Sequence, residues 1–76
     1  MKDQILELLR HFSQGADIPG DDDSLFDAGA LDSFALADFV AALEQKFGIS
    51  VPKDDLRPRK FETVNKIIEY VETRKN

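Results

Sequence analysis

Apolar residues recur at helical spacing in three stretches of the chain, which predicts three helices. The first helix is expected from Asp3 to Phe12 and is followed by Gly15, a residue type that commonly ends helices. The last is expected after Thr63, a candidate N-cap. Arg74 and Lys75 fall near its C-terminus, where positive charge complements the helix dipole. The predicted inward faces are Ile5, Leu8, Leu9 and Phe12 in the first helix and Val64, Ile67, Ile68 and Val71 in the last.

The middle stretch, from Gly29 to Phe47, is the most apolar of the three. Between Phe34 and Leu43 its only charged residue is Asp38, which predicts the central and best-buried helix of the fold. Asp32 precedes this helix as an N-cap, because its carboxylate can accept the free backbone N–H groups of the first turn. Ser33 then lies at the helix entrance. The predicted core positions are Leu36, Phe39, Val40, Leu43 and Phe47.

Two connections join the predicted helices. The first, Ala16 to Leu31, contains five aspartates and no basic residue, and a connection this long is usually functional or folded back on itself. Ser24 and Asp27 within it predict one short capped turn. In the second, residues 49–52 are expected to lie on the core as a linker, and Pro58 allows only short helical turns on either side. The expected anchors are Ile18, Leu25 and Phe26 in the first connection and Leu56 and Phe61 in the second.

Size and composition limit the classes of protein that this chain can be. Its 76 residues predict one domain over 1–76, and 42% hydrophobic with 33% charged residues is typical of a folded domain. The absence of cysteine excludes disulfides and thiolate metal sites. A formal net charge of -5 favours a basic protein surface as partner over nucleic acid or an anionic lipid surface. With no apparent membrane span or signal peptide, a cytoplasmic monomer is expected.

Two charged clusters have a simpler interpretation than a binding site. The run Asp21 to Asp23 suggests calcium, but its spacing does not match the EF-hand pattern, so we expect a solvated acidic loop and no metal site. Arg57, Arg59 and Lys60 form a basic cluster that is too small for nucleic-acid binding. We expect it to be solvated surface that pairs with the acidic loop.

The stretch Leu31-Asp32-Ser33-Phe34, followed by an apolar helix and Phe47-Gly48-Ile49, resembles the acyl carrier protein family, also called phosphopantetheine-attachment domains. The resemblance covers nearly the whole chain. It implies an all-α fold, a small four-helix bundle with three main helices, one short helix and a long first loop. It also implies that Ser33 carries 4′-phosphopantetheine, derived from coenzyme A, while Asp32 acts in capping and in recognition by the modifying enzyme.

The resemblance further implies a function and a set of partners. A family member holds an acyl or aminoacyl group as a thioester and presents it to other enzymes. The implied partners are a phosphopantetheinyl transferase, adenylating or acyl-transferring enzymes, and downstream acceptor enzymes. On the second helix, Asp38 and Glu44 match acidic partner-binding positions, whereas Ala35 and Gln45 stand where fatty-acid carriers commonly have acids. Phe34 is predicted either to contact partners or to pack into the core.

Within the family, the chain resembles the D-alanyl carrier proteins, which supply alanine for esterifying teichoic acids. Val64 departs from that type, which tends to have proline there. A D-alanyl carrier is therefore the leading specific alternative to a generic acyl or aminoacyl carrier. The matching stretches are Leu25 to Phe34, Gly48 to Pro52 and Asn65 to Ile68, together with Phe61 shortly before the last helix.

Two alternatives come from other classes of function. The chain could be a helical interaction module that is never modified, although an intact Asp32-Ser33 pair favours the carrier. It could also be a minimal hydrolase with Ser33 as nucleophile and His11 as base. A serine enzyme needs an oriented base and an oxyanion hole, and the chain has no Gly-x-Ser-x-Gly elbow. We therefore predict that the protein is not an enzyme and has no catalytic residue.

Overall fold

Three α-helices and two short 3₁₀ helices form the fold. The structure is a computed structural model that describes residues 1–13 and 15–75. Helix α1 spans Lys2–Ser13, α2 spans Ser33–Phe47 and α3 spans Val64–Lys75, and the 3₁₀ helices Lys53–Asp55 and Pro58–Phe61 lie between α2 and α3. Helix α1 packs against both α2 and α3. The predicted all-α bundle is confirmed, with the one short helix replaced by two 3₁₀ helices.

A single apolar core lies between the helices. All eight positions that were predicted on the inner faces of α1 and α3 contact it, and Phe12 packs edge-on against Phe39 with ring centroids 5.9 Å apart. Phe47 is half-buried at the end of α2. Among the described helices, none is long and apolar enough to cross a membrane. The buried apolar residues of the three α-helices are Ile5, Leu9, Leu36, Phe39, Val40, Leu43, Val64, Ile67 and Val71.

Local capping groups determine where α2 and α3 begin or end. The Thr63 hydroxyl accepts a hydrogen bond from the Lys66 N–H at 3.0 Å, which confirms the predicted N-cap of α3. Gly48 ends α2 in the left-handed conformation, with φ of 66°, and donates its N–H to the Glu44 carbonyl. Pro58 occupies the start of its 3₁₀ helix. Proline is tolerated there because the N–H group that it lacks would have no partner within the helix.

The long first connection folds back on the bundle and is tied to it by hydrogen bonds and an ion pair. Leu25 is fully buried, and its N–H donates to the Glu62 carbonyl at 2.7 Å. Asp21 pairs with Lys2 at 2.6 Å, and Asp22 accepts a hydrogen bond from the Asn65 side chain at 2.7 Å. Ile18 and Phe26 pack against the core as predicted, and the Ser24 hydroxyl accepts the Asp27 N–H at 3.2 Å, so the predicted capped turn is also confirmed.

Two predictions for the second connection were wrong. Leu56 is not a core anchor, because it follows the first 3₁₀ helix with 38% of its surface exposed, while Ile49 and Phe61 are buried. The basic cluster does not pair with the acidic loop within the described residues. Instead, the Arg57 side chain donates to the Asp54 carbonyl. Apolar spacing does not reveal either difference, because both depend on how the second connection packs against the bundle.

Tyr70 of α3 holds the first 3₁₀ helix against the bundle. Its hydroxyl donates to the Asp55 carboxylate at 2.7 Å, and its ring packs edge-on against Phe61 with centroids 5.0 Å apart. Burial, followed by the hydrogen bond to the Asp55 carboxylate and the charge of that group, raises the pKa of Tyr70 to about 12 from its ordinary 10.0. The folded state therefore favours the protonated phenol.

Replacing Leu43 by alanine tests the position of α2 in the core. Leu43 is fully buried, so Leu43→Ala is expected to lower the free energy of unfolding by about 2 to 5 kcal/mol. Because small domains are only marginally stable, this loss is enough to unfold much of the population. Chemical denaturation measures it, with Leu56→Ala as the matched control at an exposed leucine. Equal effects of the two substitutions would contradict a central α2.

The raised pKa of Tyr70 predicts how stability changes in alkaline solution. The stabilisation is fully present below pH 10.0, the unfolded value, and is lost as the pH rises through about 12. Over this range, the wild-type melting temperature is expected to fall more steeply than that of Tyr70→Phe, which has no phenolic proton to lose. Tyr70 is the only tyrosine, so absorbance of the phenolate reports its titration directly. A titration midpoint near 10 would contradict both the burial of the Tyr70 phenol and its hydrogen bond to Asp55.

Candidate functional site

Ser33 is the first residue of α2, and a side-chain cap holds it there. Asp32 has an extended backbone, with φ of -131° and ψ of 171°, and its Oδ1 accepts a hydrogen bond from the Ala35 N–H at 2.7 Å. The Asp32 carbonyl accepts the Leu36 N–H at 3.0 Å. The predicted N-cap is therefore confirmed, and the start of α2 at Ser33 follows from it.

The turn before Ser33 is tightly bonded. The Leu25 carbonyl accepts both the Ala30 N–H, at 3.0 Å, and the Leu31 N–H, at 3.2 Å. Gly29 makes this possible with φ of 76°, a conformation that favours glycine. Ala30 and Leu31 are both buried, so the chain is anchored to the core directly before Asp32.

The surroundings of Ser33 suit a phosphate ester. Ser33 and Asp32 are exposed, and the Ser33 hydroxyl has no hydrogen-bond partner in the described part of the chain. The backbone N–H groups of Ser33 and Phe34 likewise have no acceptor among the described residues. These N–H groups lie at the N-terminus of α2, the positive end of the helix dipole, which stabilises a nearby anion. A phosphopantetheine group on this hydroxyl would extend into solvent, with free donors beside its phosphate.

Phe34 projects from the bundle immediately beside Ser33. With 93% of its surface exposed, it does not pack into the core, so the core role is excluded and the partner-contact role stays a prediction. Helical spacing places it on one exposed face of α2 together with alanines, a glutamine and a single carboxylate. We call this set the α2 face; its residues are Phe34, Ala37, Asp38, Ala41 and Gln45.

Glu44 lies apart from the α2 face and makes a contact within the fold. It is half-buried, and its Oε2 accepts the Val51 N–H at 2.9 Å. This hydrogen bond holds the linker after α2 against the helix and was not foreseen, since nothing local in the sequence links residues 44 and 51. The partner-binding role of Glu44 stays a prediction, and the structure adds a role in positioning the linker.

No base is positioned on the Ser33 hydroxyl within the described residues. His11 is exposed on α1, where its ring packs edge-on against Phe12 at 5.1 Å, and it forms no hydrogen bond with Ser33. The arrangement therefore lacks the serine–histidine contact that nucleophilic catalysis requires. Among the described residues, no group of three or more histidine or carboxylate side chains is placed to hold a metal ion.

The sequence of α2 contains a signal for the α2 face that the apolar spacing does not detect. Ala37 and Ala41 lie at three and seven residues from Phe34, so the helix is apolar or small on its exposed side as well as its buried one. The apolar spacing detects only the larger side chains that face the core. A helix with alanines on its outer face, next to an exposed aromatic residue, is the signal that points to a contact surface.

Comparison with known proteins agrees with this site. Residues 3–71 match the family described as "Phosphopantetheine attachment site". A D-alanyl carrier protein of Lactobacillus acidophilus is 33% identical over 76 residues, covering 99% of this chain and 95% of that protein. One from Leuconostoc mesenteroides is 36% identical over 74 residues, covering 96% and 94%. One from Streptococcus uberis is 42% identical over 55 residues, covering 72% and 70%.

Proposed function

The chain belongs to the phosphopantetheine-attachment family of carrier proteins, and we propose that Ser33 is the residue that carries the group. The observation that supports this most is a free, exposed hydroxyl at the first position of a capped helix. The other serines differ. Ser13 is buried and bonded to the Arg10 carbonyl, Ser24 accepts the Asp27 N–H, and Ser50 lies in a linker rather than at a helix start.

The residues around Ser33 provide for both attachment and use of the group. When bound, 4′-phosphopantetheine supplies a thiol that holds an acyl or aminoacyl group as a thioester. The chain has no cysteine, so no thiol of its own competes with that one. Asp32 and the bonded turn before it keep the attachment point rigid, while the exposed surroundings leave the group free to reach other proteins.

Attachment and loading are the work of other enzymes in this proposal. The family carries groups and does not itself catalyse reactions. In modification the Ser33 oxygen bonds to the pantetheine-side phosphorus of coenzyme A, the P–O bond of the pyrophosphate breaks and adenosine 3′,5′-bisphosphate leaves. The hydroxyl proton passes to a base of the phosphopantetheinyl transferase. Asp32 uses only Oδ1 in capping, which leaves Oδ2 exposed as a recognition point for that enzyme.

D-alanine is the cargo that we propose. The D-alanyl carrier proteins described above cover nearly the whole chain at 33% and 36% identity. The α2 face supports a partner of mixed character, because its aromatic and alanine residues offer apolar contact and Asp38 offers one charge. An adenylating enzyme that activates D-alanine would then load the thiol, and an acceptor enzyme would receive the aminoacyl group.

Ser33→Ala tests the attachment site. Incubation of the wild-type protein with coenzyme A and a broad-specificity phosphopantetheinyl transferase should add the mass of one phosphopantetheine. Ser33→Ala should add none, because the nucleophilic oxygen is gone, and its helicity should be unchanged because the side chain is exposed and unbonded. Intact-mass spectrometry and circular dichroism measure the two effects.

Ser50→Ala is the matched control, since Ser50 is also exposed but lies outside the helix start. It should gain the full group. Modification of Ser33→Ala would place the attachment site elsewhere. No modification of the wild-type protein, under conditions that modify another carrier, would favour the unmodified interaction module.

Phe34→Ala tests the α2 face and the cargo together. With the modified protein, ATP and a D-alanine-adenylating enzyme, we expect kcat/KM for loading to fall about tenfold, the loss of a modest aromatic contact. Stability should be unchanged, because Phe34 is 93% exposed. Gln4→Ala, at an exposed position of α1 outside the α2 face, serves as control. Loading of the wild type with another amino acid or a fatty acid in preference to D-alanine would contradict the proposed cargo.

A further inference from the structure

A cationic cleft lies between α3 and the 3₁₀ segments, on residues that the carrier role does not use. The cleft has a volume of about 500 Å³ and is open to solvent. None of its lining residues belongs to α2 or to the turn before Ser33. Four cations and two carboxylates contribute the charge of its wall: Arg59, Lys60, Lys66 and Arg74, with Asp55 and Glu69.

The cations of the cleft are largely unused within the fold. Arg59 and Lys60 are exposed and form no ion pair within the described residues. Lys66 has only a 4.0 Å pair with Glu62, and Arg74 donates its Nε to the Ser50 carbonyl, which leaves its terminal nitrogens for another acceptor. Asp55 accepts a hydrogen bond from the Tyr70 hydroxyl but keeps its charge, and together with Glu69 it offsets two of the four cations. The cleft therefore presents an excess of free positive charge.

This positive charge is local, and the chain around it is acidic. Residues 16–45 contain eight carboxylates and no basic residue, whereas residues 46–60 contain five basic residues and two acids. A neighbouring hollow that shares Lys66 and Glu69 with the cleft is lined by Asp22 and Glu62. Because salt screens exposed charges beyond about 10 Å, an anion is attracted only when it reaches the cleft itself.

The shape and setting of the cleft favour one class of occupant. A membrane or a nucleic acid presents a wide anionic surface, which would also meet the acidic hollow and loop beside the cleft and be repelled by them. A short acidic protein segment can enter the concave surface without meeting them. We propose that the cleft binds an acidic segment of a partner protein, as a second docking surface separate from Ser33 and the α2 face.

The spacing of the cations sets the length of that segment. Lys66 and Arg74 are eight residues apart on α3, which corresponds to about 12 Å along the helix axis. An extended chain advances about 3.3 Å per residue, so a segment of about four or five residues spans this distance. Arg59 and Lys60 line the cleft from the 3₁₀ side and would contact the same segment.

A titration followed by nuclear magnetic resonance tests the proposal. The probe is a capped pentaglutamate peptide added to the full ¹⁵N-labelled chain, in the wild type and in Ser33→Ala. The Ser33→Ala arm makes the result independent of the proposed attachment site. We expect saturable amide shifts confined to residues 57–61 and 66–74, and a marked loss of binding in about 0.5 M salt. The wild type and Ser33→Ala should show the same shifts and the same affinity for the peptide.

Charge-reversal variants decide whether the cleft or the overall charge is responsible. Arg59→Glu/Lys60→Glu should weaken binding at least tenfold, and Arg59→Gln/Lys60→Gln should weaken it by less. Lys46→Glu/Lys53→Glu makes the same change in net charge on exposed lysines outside the cleft, and should change binding less than threefold. Circular dichroism checks that each variant is folded.

Several results would overturn the proposal. They are the absence of shifts at the cleft, equal losses in both charge-reversal pairs, and binding to phosphatidylglycerol vesicles without binding to the peptide. The last result would assign the cleft to a lipid surface instead.

Discussion

The position of the Ser33 site depends on the backbone of one buried residue, Leu25. Its N–H donates to the carbonyl of Glu62 just before α3, and its carbonyl accepts two N–H groups, those of Ala30 and Leu31, just before α2. A single residue of the long connection thus joins the start of one helix to the start of another. Because a buried peptide group without partners is costly, the fully buried Leu25 requires these bonds, and the bonds in turn place Ser33.

The apolar residues of α2 serve two different roles, one in the core and one at the surface. Leu36, Phe39, Val40 and Leu43 are buried and stabilise the bundle, whereas Phe34 is almost fully exposed and contributes little to folding. Burying a phenylalanine side chain is worth about 1.5 to 3 kcal/mol, and this helix forgoes that gain beside the attachment serine. Such a residue has a clearer purpose in contact with another protein than in the stability of this one.

Charge is distributed by segment rather than evenly. The acidic connection is tied by Lys2 and Asn65, while the free cations gather around the end of the second connection. A carrier that meets several enzymes in turn benefits from surfaces of different character, since each partner can be recognised by a different set of groups. The α2 face offers apolar contact and one carboxylate, and the cleft offers positive charge. The two surfaces share no residue.

Sequence and tertiary structure determined different parts of this protein. The sequence alone determined the three helices, the caps at Asp32 and Thr63, and with them the place of Ser33, because periodicity and capping act within a few residues. Periodicity and capping could not predict the exposure of Leu56 or the hydrogen bond between Glu44 and Val51. Only the tertiary structure decided that Leu56 is exposed, that Glu44 bonds the linker and that the cations meet in one cleft, because each depends on how segments distant in the chain pack together.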